Sequence, residues 1–74
     1  MTHALDTEIG RRIRSLRLMA KLSVKVVAAT VHLPAEDYEH AEAGHTRFTP
    51  GQLIDLARLF GVPLSALFGA TARR

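Results

Sequence analysis

The residues best suited to chemistry are concentrated in one short stretch, between His32 and Gly44. This stretch contains no Lys or Arg and holds four carboxylates: Glu36, Asp37, Glu39 and Glu42. On a helix, Glu36 and His40 would share one face, and His45 follows just beyond the glycine. Carboxylates and imidazoles of this kind could bind a metal ion. No recognised zinc spacing is present, however, and scattered surface histidines are the commoner case, so the sequence predicts no metal site.

Catalytic groups are not evident elsewhere in the chain. Ser15, Ser23 and Ser65 have no apparent partner base and acid, and there is no glycine-rich loop that could hold a phosphate. The sequence therefore predicts a protein that is not an enzyme and that uses no cofactor.

Length and composition predict one small all-α domain. The 74 residues are 47% hydrophobic with few aromatics, and short aliphatic side chains are most simply buried in a helical bundle. The absence of cysteine excludes disulfides and cysteine-based zinc sites. No apolar run approaches the roughly 20 residues that span a bilayer, and the start "MTHALDTEIGRR" lacks the apolar core of a signal peptide. We expect a cytoplasmic protein with no membrane partner.

Charge is unevenly distributed along the chain. The formal net charge is +3, made up of +4 over residues 1–34, −4 over residues 35–44 and +3 over residues 45–74. A basic body favours an acidic partner, of which nucleic acid is the commonest. Ordinary solubility charge is the alternative explanation.

Hydrophobic periodicity is helical throughout and predicts a compact five-helix bundle. The predicted helices cover about residues 6–20, 24–31, 35–43, 50–60 and 64–69, with a loose tail at 70–74. The residues Ile9, Ile13, Leu16 and Ala20 form one apolar face of the first helix. Asp6 is its predicted N-cap.

The ends of the later helices carry strong local signals. Ser23 is a good N-cap for the second helix, and Gly44 is a predicted terminator of the third. The run from Thr49 to Gln52 predicts a capping box with Pro50 in the first helical position. The second and third helices are joined by only three residues, which matches a helix-turn-helix unit.

The order of these landmarks resembles a known family. The segments "IGRRIRSLR", "VVA", "YEHAEAG" and "LIDLARLFGVPLSALF", with Ser23 between the first two, resemble the Cro-type, lambda-repressor-like (XRE) helix-turn-helix family over about residues 8–69. The resemblance implies a structural pair between Arg17 and Glu42, which ties the first helix to the third.

Three positions depart from the family pattern. Val24 stands where the family usually has a Gln that touches the DNA backbone, and Pro34 stands where it usually has a capping Ser or Thr. His32 stands in place of the usual turn glycine, which implies a non-glycine residue with positive φ.

The resemblance also implies which residues meet DNA. The base-reading positions of the third helix are Ala35, Glu36, Asp37 and His40. The DNA-backbone positions are Lys21, Ser23, Lys25, His45, Thr46 and Arg47. A carboxylate can accept from cytosine N4, Ala35 can touch a thymine methyl group, and His40 can bond guanine or phosphate.

Three interpretations of the acidic helix remain open. Glu36 and Asp37 can offset the positive end of the helix dipole, they can read bases, or the helix can present an acidic face to a protein. We expect a sequence-specific double-stranded DNA-binding transcriptional regulator, most simply a repressor that is associated with the nucleoid when bound. The alternative is an adaptor that binds another regulatory protein and no DNA, and an antitoxin is a third possibility.

We further expect a homodimer on a pseudo-palindromic operator. Leu64, Leu67 and Phe68 provide more apolar surface than so small a core can cover, so they form the predicted dimer interface.

Overall fold

The structure, a computed structural model, describes residues 3–68 as four α-helices and one 3₁₀ turn. The helices are α1 (His3–Met19), α2 (Val24–Thr30), α3 (Ala35–Glu42) and α4 (Pro50–Phe60), and the 3₁₀ turn is Leu64–Leu67. No strand occurs within these residues. The all-helical prediction is confirmed. None of the helices over residues 3–68 combines the length and apolar character needed to cross a bilayer.

The predicted fifth helix is a single 3₁₀ turn, so the five-helix count is wrong for the described residues. Ala66 donates its backbone N–H to Pro63, and Phe68 donates to Ser65, each three residues back. The segment is four residues long and starts after the extended backbone of Pro63. A segment this short forms hydrogen bonds between residues i and i+3 more readily than it nucleates an α-helix. Residue 69 and the predicted loose tail 70–74 lie outside the described residues.

The start of α1 also differs from its prediction. The helix begins at His3, so Asp6 lies inside the first turn and is not the N-cap. Ala4 and Leu5 are good helix formers, and they extend the helix beyond the predicted start. Ala20, predicted on the apolar face, lies beyond the end of α1 and is exposed.

The other predicted caps are confirmed. The Ser23 hydroxyl accepts the backbone N–H of Val26 at 3.2 Å. Thr49 and Gln52 form the reciprocal capping box of α4, with Thr49 Oγ1 accepting at 3.1 Å and Gln52 Oε1 accepting at 2.9 Å. These hydrogen bonds satisfy N–H groups that the first turn of a helix leaves free.

The turn between α2 and α3 has the conformation expected for His32. This residue has a φ of 59°, and the following Leu33 N–H returns to the carbonyl of Ala28 at 2.9 Å. The left-handed backbone of His32 ends α2 and redirects the chain towards α3. A residue with a side chain is strained in this region, which is why glycine is the usual choice there.

The core is built from all five elements and from the loop before α4. Its buried members include Ile9 and Ile13 of α1, Val27 of α2 and Leu56 of α4. The ring of Tyr38 on α3 packs at a tilt against Phe48 of the loop, with centroids 5.9 Å apart. This packing fixes α3 along its inner face and leaves its opposite face at the surface.

Candidate nucleic-acid interface

The outer face of α3 carries the predicted base-reading residues. Glu36, Asp37, Glu39 and His40 are exposed, and Ala35 is half-buried. Within residues 3–68, none of these three carboxylates takes part in an ion pair. Their oxygen atoms are therefore free to accept hydrogen bonds from a ligand.

The start of α3 explains part of this acidity. Pro34 is the N-cap residue, with a φ of −59° and a ψ of 148°, and it makes no side-chain cap hydrogen bond. The first-turn N–H groups of α3 therefore lack a capping oxygen, and Glu36 and Asp37 lie in that turn. Negative charge is favourable at this end of a helix. Local helix chemistry and ligand recognition are compatible roles for the same two side chains.

Basic and polar groups on the neighbouring segments are also exposed. Lys21 and Lys25 flank the start of α2, where Ser23 already accepts a hydrogen bond as its N-cap. His45 and Thr46 lie in the exposed loop after α3. The rings of His40 and His45 approach edge to face, with centroids 6.3 Å apart. No three His, Asp or Glu side chains among residues 3–68 are grouped as metal ligands would be.

Arg47, in the same loop, has a partner that the sequence did not reveal. Its Nε lies 3.2 Å from Oδ1 of Asp6, and its Nη2 lies 3.4 Å from Oδ2 of the same carboxylate. The predicted N-cap of α1 is thus a tertiary ion-pair partner of the predicted phosphate-binding arginine.

The inner face of α3 is held by a compact polar cluster. Arg17 donates from Nε to Oε2 of Glu42 at 2.8 Å and from Nη2 to Oε1 at 3.1 Å. Both side chains are about nine-tenths buried. Arg17 also donates from Nη1 to the carbonyl of Leu22 at 3.2 Å, so the same guanidinium joins α1, α3 and the turn before α2. The planar guanidinium of arginine can donate two parallel hydrogen bonds to one carboxylate. This geometry suits a carboxylate that is largely excluded from water.

Tyr38 is a third member of this cluster that sequence reasoning missed. Its hydroxyl donates to Oε2 of Glu42 at 2.5 Å, and its ring is fully buried. Tyr38 and Glu42 are four residues apart on one helix, and this spacing could have indicated the contact. Burial raises the pKa of the Tyr38 hydroxyl well above its ordinary value, and the hydrogen bond to Glu42 raises it further. The hydrogen bond to Glu42 raises the pKa of Arg17, whereas burial opposes that change.

Gly10 allows α1 and α3 to approach closely enough for this cluster to form. A Cβ atom at residue 10 would lie 2.2 Å from the backbone carbonyl oxygen of Glu42. Only hydrogen fits there. A glycine inside a helical pattern was the available sequence signal, because such a residue usually has a packing reason.

The predicted dimer residues are divided between surface and core. Leu64 and Phe68 are each 40% exposed, whereas Leu67 is fully buried. Leu67 therefore offers no surface to a partner, because its side chain fills the centre of this small core. The two exposed residues line a largely apolar cleft of about 660 Å³, together with Leu5, Ile54 and the Asp6–Arg47 pair.

Comparisons with known proteins agree with this arrangement. Residues 8–67 match the family model described as "Helix-turn-helix domain". The chain is similar to an uncharacterized transcriptional regulator in the ATPase CF(0) region of Rhodospirillum rubrum, with 25% identity over 71 residues. That alignment covers 96% of this chain but 66% of the relative, so the chain spans slightly less than two thirds of the relative's length.

Among solved structures, the chain is similar to the restriction-modification controller protein C.AhdI from Aeromonas hydrophila. The TM-score is 0.79 at 25% sequence identity, over 88% of this chain and 98% of the controller. With the α2–turn–α3 geometry and the match over most of the chain, these likenesses show that the protein belongs to the helix-turn-helix family and is XRE-like.

Proposed function

We propose that the protein is a sequence-specific double-stranded DNA-binding regulator that acts as a homodimer and represses transcription by covering a promoter. The observation that carries this proposal is the construction of α3. Its inner face is fixed by the Arg17–Glu42–Tyr38 cluster, whereas its outer face is exposed and carries carboxylates that form no ion pair within residues 3–68. A rigidly held helix with free hydrogen-bonding groups is suited to the major groove.

On this proposal, α3 reads bases through Ala35, Glu36, Asp37 and His40. Eight residues of helix are about 12 Å long, which is comparable with the width of the major groove. Carboxylates oppose phosphate, so they lower affinity for every duplex. A carboxylate that accepts from cytosine N4 regains affinity only at the correct base pair. The acidic helix would therefore bind every duplex less tightly and distinguish more strongly between base sequences.

The attraction to phosphate comes from the surrounding segments. Lys21, Lys25 and Arg47 are exposed and basic, and Ser23, His45 and Thr46 are exposed hydrogen-bonding residues beside them. Contacts from such residues orient a protein on DNA and make its binding depend on salt. A DNA-binding role assigns the protein to the cytoplasm, at the nucleoid, and requires neither catalysis nor a cofactor.

The proposed homodimer uses the apolar cleft near Leu64 and Phe68. Leu5 and Ile54 on its walls are 57% and 42% exposed, which is costly for a domain with so small a core. A second copy would cover the apolar part of this surface, formed by Leu5, Ile54, Leu64 and Phe68, with the same surface, and would leave Arg47 at the rim for DNA. The operator would then be pseudo-palindromic, with half-sites about one helical turn apart.

The test is a binding titration against a random duplex library at two salt concentrations. We expect the wild type to enrich a pseudo-palindromic sequence. Arg47→Ala should weaken binding to all duplexes similarly and lower the salt slope by about one unit. Arg58→Ala is the matched control, because it removes one exposed arginine from α4, outside the proposed contacts. A wild type that binds no duplex even at low salt would show that the proposal is wrong and favour an adaptor that binds a protein.

Repression needs its own measurement. We expect purified protein to lower transcript yield when the enriched site overlaps the promoter, and to have no effect when the site lies far upstream. An increase in transcript from the overlapping site would contradict repression.

A further inference from the structure

The Asp6–Arg47 ion pair joins two segments that are 41 residues apart in sequence. Asp6 lies in the first turn of α1, and Arg47 lies in the loop between α3 and α4. Both guanidinium contacts are to one carboxylate, with Nε on Oδ1 at 3.2 Å and Nη2 on Oδ2 at 3.4 Å. This is the fork-to-fork arrangement in which an arginine also holds a phosphate.

The two partners differ strongly in exposure. The Asp6 side chain is 11% exposed, whereas the Arg47 side chain is 70% exposed. The Asp6 carboxylate is therefore mostly buried on α1, and the Arg47 side chain contacts it from the solvent-exposed side. Arg47 can exchange this carboxylate for another anion, because its own side chain remains open to water and salt.

We infer that Asp6 limits the affinity of the protein for DNA by competing with a backbone phosphate for Arg47. This inference rests on the proposed DNA-binding function. In the free protein the carboxylate of Asp6 occupies the edge of the guanidinium that a phosphate would use. A phosphate that approaches this edge of Arg47 must displace the carboxylate, so the strength of the broken pair is subtracted from the strength of the new contact.

This role differs from that of the carboxylates on α3. Phosphate contacts are the same for every sequence, so a competitor for Arg47 changes the affinity for all duplexes by one common factor. Asp6 therefore sets the overall affinity, whereas Glu36 and Asp37 are proposed to set the ratio between sites.

A double-mutant cycle with Asp6→Asn and Arg47→Ala tests the competition. Asparagine preserves the size of the side chain and removes its charge. We expect Asp6→Asn to raise affinity for random and enriched duplexes alike by roughly 1.4- to 5-fold at low salt, the factor that corresponds to the measured range for exposed ion pairs. In the Arg47→Ala background the same substitution should change affinity by no more than the Asp55→Asn control described below, because the competition no longer exists.

A matched control separates competition from long-range charge. Asp55→Asn on α4 removes another half-buried carboxylate, one that makes no ion pair within residues 3–68. We expect it to change affinity by the same small factor whether Arg47 is present or replaced. If the full gain in DNA affinity from Asp6→Asn also occurred in the Arg47→Ala background, Asp6 would act only through long-range electrostatic repulsion of DNA. The inference would then be wrong.

A measurement without DNA tests the pair itself. In ¹⁵N relaxation of the Arg47 Nε–H group, we expect restricted motion in the wild type and faster motion in Asp6→Asn. Unfolding curves for each variant verify that the fold is intact, and Asp6→Ser replaces Asp6→Asn if asparagine prevents folding. Equal motion in wild type and variant would overturn the inference, whatever the DNA titration shows.

The two proposals fail in different ways. If neither wild type nor Asp6→Asn binds any duplex, both the DNA-binding function and the competition are wrong. If the wild type binds but Asp6→Asn binds no more tightly, only the competition is wrong.

Discussion

The two faces of α3 carry the same kind of side chain and use it differently. On the inner face, Glu42 accepts hydrogen bonds from Arg17 and Tyr38 and is about nine-tenths buried. On the outer face, Glu36 and Asp37 are exposed and unpaired within residues 3–68. A buried carboxylate needs partners to offset its desolvation, whereas an exposed one is satisfied by water.

Within the eight residues of α3, the inner face therefore contributes to stability and the outer face to recognition. Changes on the inner face should alter the free energy of unfolding, because they leave buried charge or disturb packing. Changes on the outer face should leave folding nearly unaltered and change how the protein distinguishes ligands. The predictions below test that division, beginning with the largest expected effect.

Arg17→Ala should be the most destabilising change. It leaves Glu42 as a buried charge without its ion-pair partner, which costs roughly 3–5 kcal/mol of unfolding free energy. That is a large part of the stability of a small domain, so the variant could be unfolded at room temperature. Arg14→Ala, on the exposed side of the same helix, is the control and should unfold like the wild type. Urea unfolding followed by circular dichroism measures both, and equal midpoints for the two variants would contradict the prediction.

Gly10→Ala should come next. The new Cβ would meet the carbonyl oxygen of Glu42, which is backbone and cannot turn away, so α1 and α3 must separate at a cost of roughly 3 kcal/mol or more. Gly51→Ala is a matched change in α4, where a Cβ meets nothing within 4 Å, and it should stabilise by roughly 0.4–1 kcal/mol. If the close approach of α1 and α3 matters, the thermal unfolding midpoint should fall for Gly10→Ala and rise for Gly51→Ala. A Gly10→Ala protein as stable as the wild type would show that α3 has room to move.

Tyr38→Phe should lower the free energy of unfolding by less than Arg17→Ala, because Glu42 still pairs with the guanidinium of Arg17. Loss of a hydrogen bond to a charged group costs roughly 1.5–3 kcal/mol. The effect also depends on pH, because the folded-state pKa of Tyr38 is raised. Its contribution is fully present below the unfolded-state pKa of about 10 and declines as pH rises above it. The stability difference between wild type and Tyr38→Phe should therefore be constant at neutral pH and shrink in alkali.

The absorbance of tyrosinate provides a direct check of this pH dependence. The chain has one tyrosine and no tryptophan, so the signal reports Tyr38 alone. We expect it to appear only as the protein unfolds in alkali. Ionisation at the ordinary pKa in a folded protein would show that the hydroxyl is not buried against Glu42.

The double change Glu36→Gln and Asp37→Asn should have the smallest effect on folding and a distinct effect on DNA. Binding to random duplexes should strengthen because charge repulsion falls, whereas discrimination should decrease by about 1–3 kcal/mol at one base pair. Glu39→Gln is the control, because it removes an exposed charge from the same helix outside the proposed base-reading positions. If each charge removed strengthens binding to all duplexes by the same factor in the double variant and in the control, with no loss of discrimination, Glu36 and Asp37 serve only the start of the helix.

Features that depend on near neighbours were predictable from the sequence. The Ser23 cap and the Thr49–Gln52 box occur as predicted. Their partners lie within three residues along the chain, so local stereochemistry and hydrogen bonding suffice to determine them. The left-handed backbone of His32 occurs as the family resemblance implied.

Features that depend on distant partners were missed or assigned differently. The residue type of Asp6 suits a cap, but its position beside Arg47 makes it an ion-pair partner. Leu67 has the pattern of a surface-facing apolar residue, yet it fills the core. The hydroxyl of Tyr38 completes a cluster that the family resemblance described only as a pair.

The sequence by itself therefore determined the helical class, the N-terminal caps of α2 and α4 and the helix-turn-helix order, because these follow from periodicity and capping over short distances. The Arg17–Glu42 pair was implied only by the family resemblance, and the tertiary structure decided that Asp6 pairs with Arg47. Whether a carboxylate is buried against a partner or left in solvent depends on which elements pack together. For Glu42, the contact of α1 with α3 through Gly10 makes that decision.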